Sequence, residues 1–537
     1  MKVVDFLLDT LALCGVPRLF GNPGTTEIPL VRACEERNRD KGIGAPGPAY
    51  VVGLSEVASV PMADGHARAT RGLGVVNLHV APGLGNGMGN LYTAAVAGTP
   101  LLVLVGAQDS RLLHTEPILH GPVEQMAAAV CKAVYRLTST HDAAVNIRRA
   151  IRHALTPPSG PVALICPPDV LELAIDDAPV AVTPPSLAAL GAEEATQYAH
   201  WLSSAKRPAV VAGEGVHWND AAAELAALAA ALDAPVYAAP YTGMLPVDAS
   251  LPCYAGYLPP SFSSIAARLA DHDVLLYAGM RGFRTTLFQE GALPQRKAWI
   301  GDDPSFPAES GEFEFARIAA LKPSLARVAA AVEARKGGTV HRPQAPQPDA
   351  SPGKLHPTRA IQALLERYGG ATVIDESGLS TSDVKQWLPA AAGDYFINGS
   401  GGIGWGLAAS VGIALARPQR EVVAIIGDGS SLYNSEALWT AAHHDARHTL
   451  VVLSNRRYAT LNEGAARVVG KPELGLYSLE PPVIDFSGLA RLYGYRYCAA
   501  DSEASLAQAL KPDAAPRTLI DIHIDPALKP VTAARHF

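Results

Sequence analysis

The chain is predicted to be an α/β protein of three doubly wound, parallel-sheet domains. Short apolar runs rich in β-branched residues alternate with helical stretches along its whole length. Its 537 residues suit about three domains at roughly 150 residues each. Two stretches of turn composition, 178–186 and 336–353, divide it. The expected domains are therefore residues 1–178, 187–335 and 355–537.

Taken in order, the apolar run 3–14 is broken by Asp5 and Asp9, an i, i+4 spacing that marks the polar face of an amphipathic helix rather than a secretory leader. Strands are predicted at 18–21, 49–54, 74–80, 101–106 and 162–166. A second set follows at 207–213, 234–239, 274–278 and 298–301. The third set is 372–375, 421–426, 448–453 and 518–523, with a helix over 435–445 between its middle two. Composition agrees: 48% hydrophobic and 18% charged residues suit large buried sheets. A net charge of −7 argues against a nucleic-acid or anionic-membrane partner. No apolar run reaches the roughly 18 residues that span a bilayer. Six scattered cysteines without a Cys-x-x-Cys pair fit a reducing compartment, and the cytoplasm is expected.

One stretch carries chemistry directly. Ile426-Gly427-Asp428-Gly429-Ser430 ends a predicted buried strand, and Ser454-Asn455 ends the next, with Asn455 lying 27 residues beyond Asp428. Ligands of open parallel sheets sit beyond the carboxyl ends of strands, where Asp428 and Asn455 both fall. A carboxylate and an amide oxygen suit magnesium, which takes hard oxygen ligands and keeps phosphate and water as the rest. The plain alternative is a βαβ turn in which Asp428 caps a helix. Gly-Asp-Gly with an Asn one helix and one strand later resembles the cofactor motif of thiamine-diphosphate-dependent enzymes.

Other segments extend that resemblance to the decarboxylase and acetolactate-synthase superfamily, and most to its benzoylformate-decarboxylase branch. Gly53-Leu54-Ser55-Glu56-Val57-Ala58 precedes Met62-Ala63-Asp64-Gly65-His66-Ala67-Arg68-Ala69, which resembles the segment after the family's activating glutamate. The cofactor's thiazolium C2 must lose a proton, and its aminopyrimidine takes it once a carboxylic acid engages N1′; the resemblance gives Glu56 that task. Alone, Glu56 reads as a first-turn glutamate favoured by a helix dipole. Gly21-Asn22-Pro23-Gly24-Thr25-Thr26-Glu27 resembles the loop in which a small hydroxyl faces the substrate carboxylate. Thr25 is the matching position with Thr26 beside it, and either also reads as a helix N-cap. His79, in Asn77-Leu78-His79-Val80-Ala81-Pro82-Gly83, matches an active-site histidine able to move protons near neutral pH. His120 lies in a loop, 111–122, whose counterpart enters the cavity.

In the last domain, Gly399-Ser400-Gly401-Gly402-Ile403-Gly404 resembles the segment that bends the cofactor. Ile403 would wedge between its rings while the Gly401 carbonyl accepts its amino group. Ser377, Ser380, Gly427, Gly429 and Ser430 are candidates at the diphosphate, with Tyr458 nearby. Asp428, Asn455 and the Arg457 backbone carbonyl are the implied ligands of Mg2+ (or Ca2+). No FAD fingerprint stands in the middle domain. Two departures bear on the substrate: Phe283-Arg284-Thr285-Thr286 has Thr286 where the relatives carry a second histidine, and Gly464 stands where they carry an aromatic. The resemblance implies non-oxidative decarboxylation of a 2-oxo acid to an aldehyde. The rivals are an acetolactate-synthase-like carboligase, a 2-hydroxyacyl-CoA lyase and a catalytically silent cofactor-binding scaffold. It also implies a homo-oligomer, at least a dimer and a tetramer by expectation, with each cofactor pocket assembled across two subunits.

Overall fold

The computed structural model describes residues 1–41, 47–286, 290–310, 312–335, 346–348, 354–470, 474–512 and 514–533. Its strands form three six-stranded parallel sheets. The chain packs as two compact units, one of Met1–Pro185, Gly402–Arg420 and Tyr433–His448, the other of Ser186–Gly401, Glu421–Leu432 and Thr449–Phe537. The first sheet belongs to the first unit and the other two to the second.

In the first sheet the order is Ala49–Val52, Arg18–Gly21, Gly74–Leu78, Leu101–Gly106, Pro161–Cys166, Ala133–Arg136. The register sets Phe20 beside Val76 and Leu78 beside Val105. Every residue of the three inner strands from Gly74 onward is buried, as expected when helices cover both faces of a parallel sheet. The second sheet runs Phe315–Ile318, Arg296–Gly301, Val274–Ala278, Pro208–Ala212, Val236–Ala238, Tyr254–Tyr257. The third runs Tyr395–Ile397, Thr372–Glu376, Val422–Gly427, His448–Ser454, Arg517–His523, Arg496–Ala500. Each sheet reverses its strand order beside its first strand, so each has one crevice at a topological switch point.

All predicted strands are present within two residues of their expected ends. The exception in kind is 74–80: the strand stops at Leu78, His79 is a helix N-cap and Val80 begins the helix Val80–Val96. Five strands were not predicted, Ala133–Arg136, Tyr254–Tyr257, Phe315–Ile318, Tyr395–Ile397 and Arg496–Ala500, and all five are sheet edges. Three of them, Ala133–Arg136, Phe315–Ile318 and Arg496–Ala500, are partly exposed and so lack a clear apolar run; the mostly buried pair Tyr254–Tyr257 and Tyr395–Ile397 are short, at four and three residues. The connector expected over 336–353 lies outside the described residues apart from 346–348.

The helix Glu56–Thr70 anchors the first unit. It crosses the helix Gly406–Ala416 so closely that any side chain at Gly412 would strike the Met62 carbonyl. Asp64 and Arg68 form a wholly buried i, i+4 ion pair. Burying charge is tolerable there because the carboxylate is saturated: Arg68 donates at 2.9 and 2.6 Å, Thr99 Oγ1 at 2.6 Å and Trp405 Nε1 at 2.7 Å. The guanidinium also lies 4.4 Å over the Trp405 ring.

His66 shares that helix. Burial, and secondarily the charge of Arg18, push its imidazole down to about 4. In the unfolded chain it titrates near its ordinary value of about 6.5. As pH falls below 6.5 the unfolded state takes up the proton first, so stability present above that pH is lost on the way to 4. The gap amounts to about 3 kcal/mol. His66→Leu should therefore flatten the fall of the urea midpoint between pH 6.5 and 4, part of which remains because His444, half-buried beside His443, is also pushed down to about 4. An unchanged slope in the variant would exclude this origin.

Candidate active site

Just past the switch point of the first sheet stand Thr26, Glu27 and His79. Thr25–Glu27 make one 3₁₀ turn entered through Gly24, and three polar groups converge on the Glu27 carboxyl. The Gly24 N–H donates to Oε2 at 2.7 Å and Thr26 Oγ1 to Oε1 at 2.6 Å. His79 Nδ1 lies 2.7 Å from Oε2 and 3.3 Å from Thr26 Oγ1. Glu27 is only 2% exposed, a burial that charge-assisted bonds of this number make affordable in stability. The fit is tight: a side chain at Gly24 would run into the His79 ring, and one at Gly106 into the Glu27 carboxyl. Thr25 is exposed, so Thr26 is the hydroxyl that joins this cluster.

Glu56 is the first residue of its helix, and Ser55 caps it by accepting the Ala58 N–H at 3.1 Å. The side chain is 5% exposed and accepts from Asn86 Nδ2 at 3.2 Å. A Cβ on Gly83 would lie 2.6 Å from Glu56 Oε1 and 3.2 Å from His79 Cβ. Glu56 and His79 thus both lie close to one glycine, where the Glu56 carboxyl leaves no room for a side chain. Val80, directly after His79, has φ +41°. A β-branched residue there is strained by about 1–3 kcal/mol, the kind of strain found at functional sites. His120 is exposed and lines a small cleft with Val80, Gly106 and Gln108.

In the second unit, Asp428 and Asn455 stand at the ends of adjacent strands, Val422–Gly427 and His448–Ser454, beside the third sheet's switch point. Asp428 Oδ1 accepts from Gly429 N at 2.8 Å, and Oδ2 from Asn455 N at 3.0 Å and Arg456 N at 2.6 Å. Arg456 reaches this geometry with φ +58°. Asn455 Oδ1 accepts from Arg457 N at 3.0 Å, and the Arg457 carbonyl accepts from Ala459 N at 3.1 Å. A Cβ on Gly429 would sit 2.5 Å from the Tyr458 ring, whereas one on Gly427 would meet nothing nearer than 3.9 Å. The backbone at Gly427 is therefore open to an approaching anion. Ser430 is partly exposed and Ser380 buried. Ser377 gives its hydroxyl proton to Asp375 at 2.6 Å, and Asp375 also takes the Ser377 N–H and the Tyr395 hydroxyl. Gly401 has φ +81°, and Ile403 is exposed. Thr286 donates its N–H to the Pro260 carbonyl at 2.8 Å. A Cβ on Gly464 would meet nothing within 4 Å, so the space beside this helix position is open.

The crevice of the third sheet thus holds a glycine-flanked carboxylate, and that of the first sheet holds buried glutamates with a histidine, an arrangement that suits an α/β protein with a ligand at its switch points. The thiamine pyrophosphate enzyme family matches in three pieces: its N-terminal TPP binding domain over residues 1–134, its central domain over 195–314 and its C-terminal TPP binding domain over 376–522. Benzoylformate decarboxylase of Pseudomonas aeruginosa is 32% identical over 524 residues, covering 93% of each chain. The acetolactate synthase large subunit of Lactococcus lactis is 23% identical, over 94% of this chain and 89% of its own length. Among solved structures, the thiamine diphosphate-dependent 4-hydroxybenzoylformate decarboxylase of Rhodococcus jostii superposes with a TM-score of 0.90 at 28% identity, covering 99% of this chain and all of that one. The chain belongs to the thiamine pyrophosphate enzyme family, the group that holds both the benzoylformate decarboxylases and the acetolactate synthases.

The donor set fits a hard cation beside a diphosphate. Burial, eased by three backbone N–H groups and aggravated by Asp521, pushes the Asp428 carboxyl up to about 6, and a bound cation would relieve that cost. The candidate ligands include one acid only, so they form no cluster of His, Cys, Asp or Glu; none of three or more occurs among the described residues. Asn455 and Arg457 line a cavity of about 630 Å³ with Asn462, Ser478 and His523. Sequence reasoning missed Glu27 and Asn86. The spacing Gly24-x-x-Glu27 is a capping-box signature and hides a second role; Asn86 sits three residues after Gly83, one turn along the same helix face.

Proposed function

We propose that this chain is a thiamine-diphosphate- and magnesium-dependent carbon–carbon lyase that decarboxylates a 2-oxo acid of benzoylformate type to an aldehyde. The observation that carries this reading is the convergence of Glu56 and His79 on Gly83, with Glu27 and Thr26 bonded to the same histidine. When bound, the cofactor supplies a nucleophilic carbon and an electron sink. Asp428, Asn455 and the Arg457 carbonyl would hold its cation, and Gly427 and Ser430 its diphosphate. Glu56 offers a carboxyl in an apolar wall to exchange a proton with the cofactor's ring nitrogen. His79 then holds and returns the proton that the product needs, and Thr26 supplies a hydroxyl beside it. Where Thr286 replaces a histidine, proton transfer falls to fewer groups, which leaves room for slow benzoylformate turnover and for another acyl substituent.

A homo-oligomer agrees with the exposure of the apolar side chains of Leu461, Val468 and Leu476. A cytoplasmic setting agrees with six unpaired cysteines; among the described residues no helix is long and apolar enough to cross a membrane. The acetolactate-synthase relative supports a second reading, ligation of two carbonyl compounds. Chromatography of the products from a panel of 2-oxo acids separates the two. Aldehyde in step with acid consumed is the expected result, whereas accumulation of a 2-hydroxyketone as main product would transfer the assignment to a ligase.

A further inference from the structure

We propose that Glu27 is a positioning residue that fixes His79 in a single tautomer, its ring proton on Nδ1, so that Nε2 is the atom that takes and returns the proton. The inference rests on the reading of His79 as proton carrier. With Glu27 as a carboxylate, the hydrogen-bond inventory assigns it. A hydroxyl has one proton, and Thr26 gives its own to Glu27 Oε1 at 2.6 Å. At 3.3 Å from His79 Nδ1 it can therefore only receive. Glu27 Oε2 already accepts the Gly24 N–H at 2.7 Å, and a carboxylate is an acceptor alone. A bare Nδ1 held 2.7 Å from that oxygen would set lone pair against lone pair, so Nδ1 carries the hydrogen. The ring cannot turn away freely on the side of Gly24, where even one added carbon would strike it. An acid orienting a catalytic imidazole through Nδ1 is a general device for setting which nitrogen does the chemistry.

Neutron diffraction from crystals of the full-length enzyme in D2O tests the tautomer itself. Deuterium on His79 Nδ1, with none on the Glu27 oxygens, is the expected density. Deuterium on Glu27 facing a bare Nδ1 would overturn the proposal. That result stands whether or not any 2-oxo acid is turned over, so it fails independently of the substrate reading. Kinetics supply the second arm. Glu27→Gln and His79→Ala should each lower kcat by about 10²-fold with KM little changed. Gln accepts through one oxygen only and cannot serve three donors. The double variant should be no slower than His79→Ala, since both act through one group. Fully additive losses in variants that keep the wild-type melting midpoint would contradict the assignment.

Discussion

Replacing Glu56 with Gln is expected to lower turnover by about 10³-fold and leave affinity for thiamine diphosphate nearly unchanged. Gln fills the same volume at the head of the helix Glu56–Thr70 and can still accept from Asn86, so the 5% exposed pocket has no reason to rearrange. What it loses is an acidic proton that a carboxyl can give and take back. The diphosphate contacts are proposed for another part of the chain, around Asp428, and should not sense the change. Titration of the cofactor by tryptophan-fluorescence quenching, beside steady-state turnover, reads both effects. Near-normal turnover in the variant would remove Glu56 from the chemistry; loss of binding as well would make it a structural residue.

Asp428→Ala should act in the opposite manner and weaken binding severely. The carboxylate proposed to face the cation disappears, and the N–H groups of Gly429, Asn455 and Arg456 lose their common acceptor. Unsatisfied buried donors cost about 1–3 kcal/mol each, enough to release the strained turn at Arg456. Changes one shell out from a metal commonly cost 10–100-fold in affinity, so loss of a direct ligand should exceed about 10²-fold. Asp428→Asn keeps the shape and an acceptor while removing the charge. Calorimetric titration with magnesium and thiamine diphosphate should show weak binding in both variants and an intact melting midpoint in the Asn variant. Wild-type affinity in Asp428→Asn would exclude a cation at this carboxylate.

The parts of this account legible in the sequence are those that a strong one-dimensional signal carries. Inner strands such as Leu101–Gly106 are apolar at every position because helices cover both faces, so their runs stand out. Edge strands such as Ala133–Arg136 and Arg496–Ala500 are partly exposed, and their mixed residues read as loop. At the candidate site, the spacing of Asp428 and Asn455 is visible because one helix and one strand separate two strand ends. The cluster around His79 is not, since Glu27 and His79 are 52 residues apart and meet only through the parallel register of their strands. The choice between Thr25 and Thr26 likewise needed the turn: adjacent residues of a 3₁₀ turn face different surroundings, and only Thr26 is buried. The left-handed backbone at Val80 has no sequence signature, because nothing about valine announces it.

The proposed activity is release of carbon dioxide from a 2-oxo acid with thiamine diphosphate and magnesium. The direct measurement is carbon dioxide evolved from benzoylformate and a panel of aromatic and aliphatic 2-oxo acids, with each cofactor component withheld in turn. Release from at least one acid that needs both components, and is missing in Glu56→Gln, is the predicted result. No release from any acid by protein that demonstrably binds the cofactor would contradict the decarboxylase assignment.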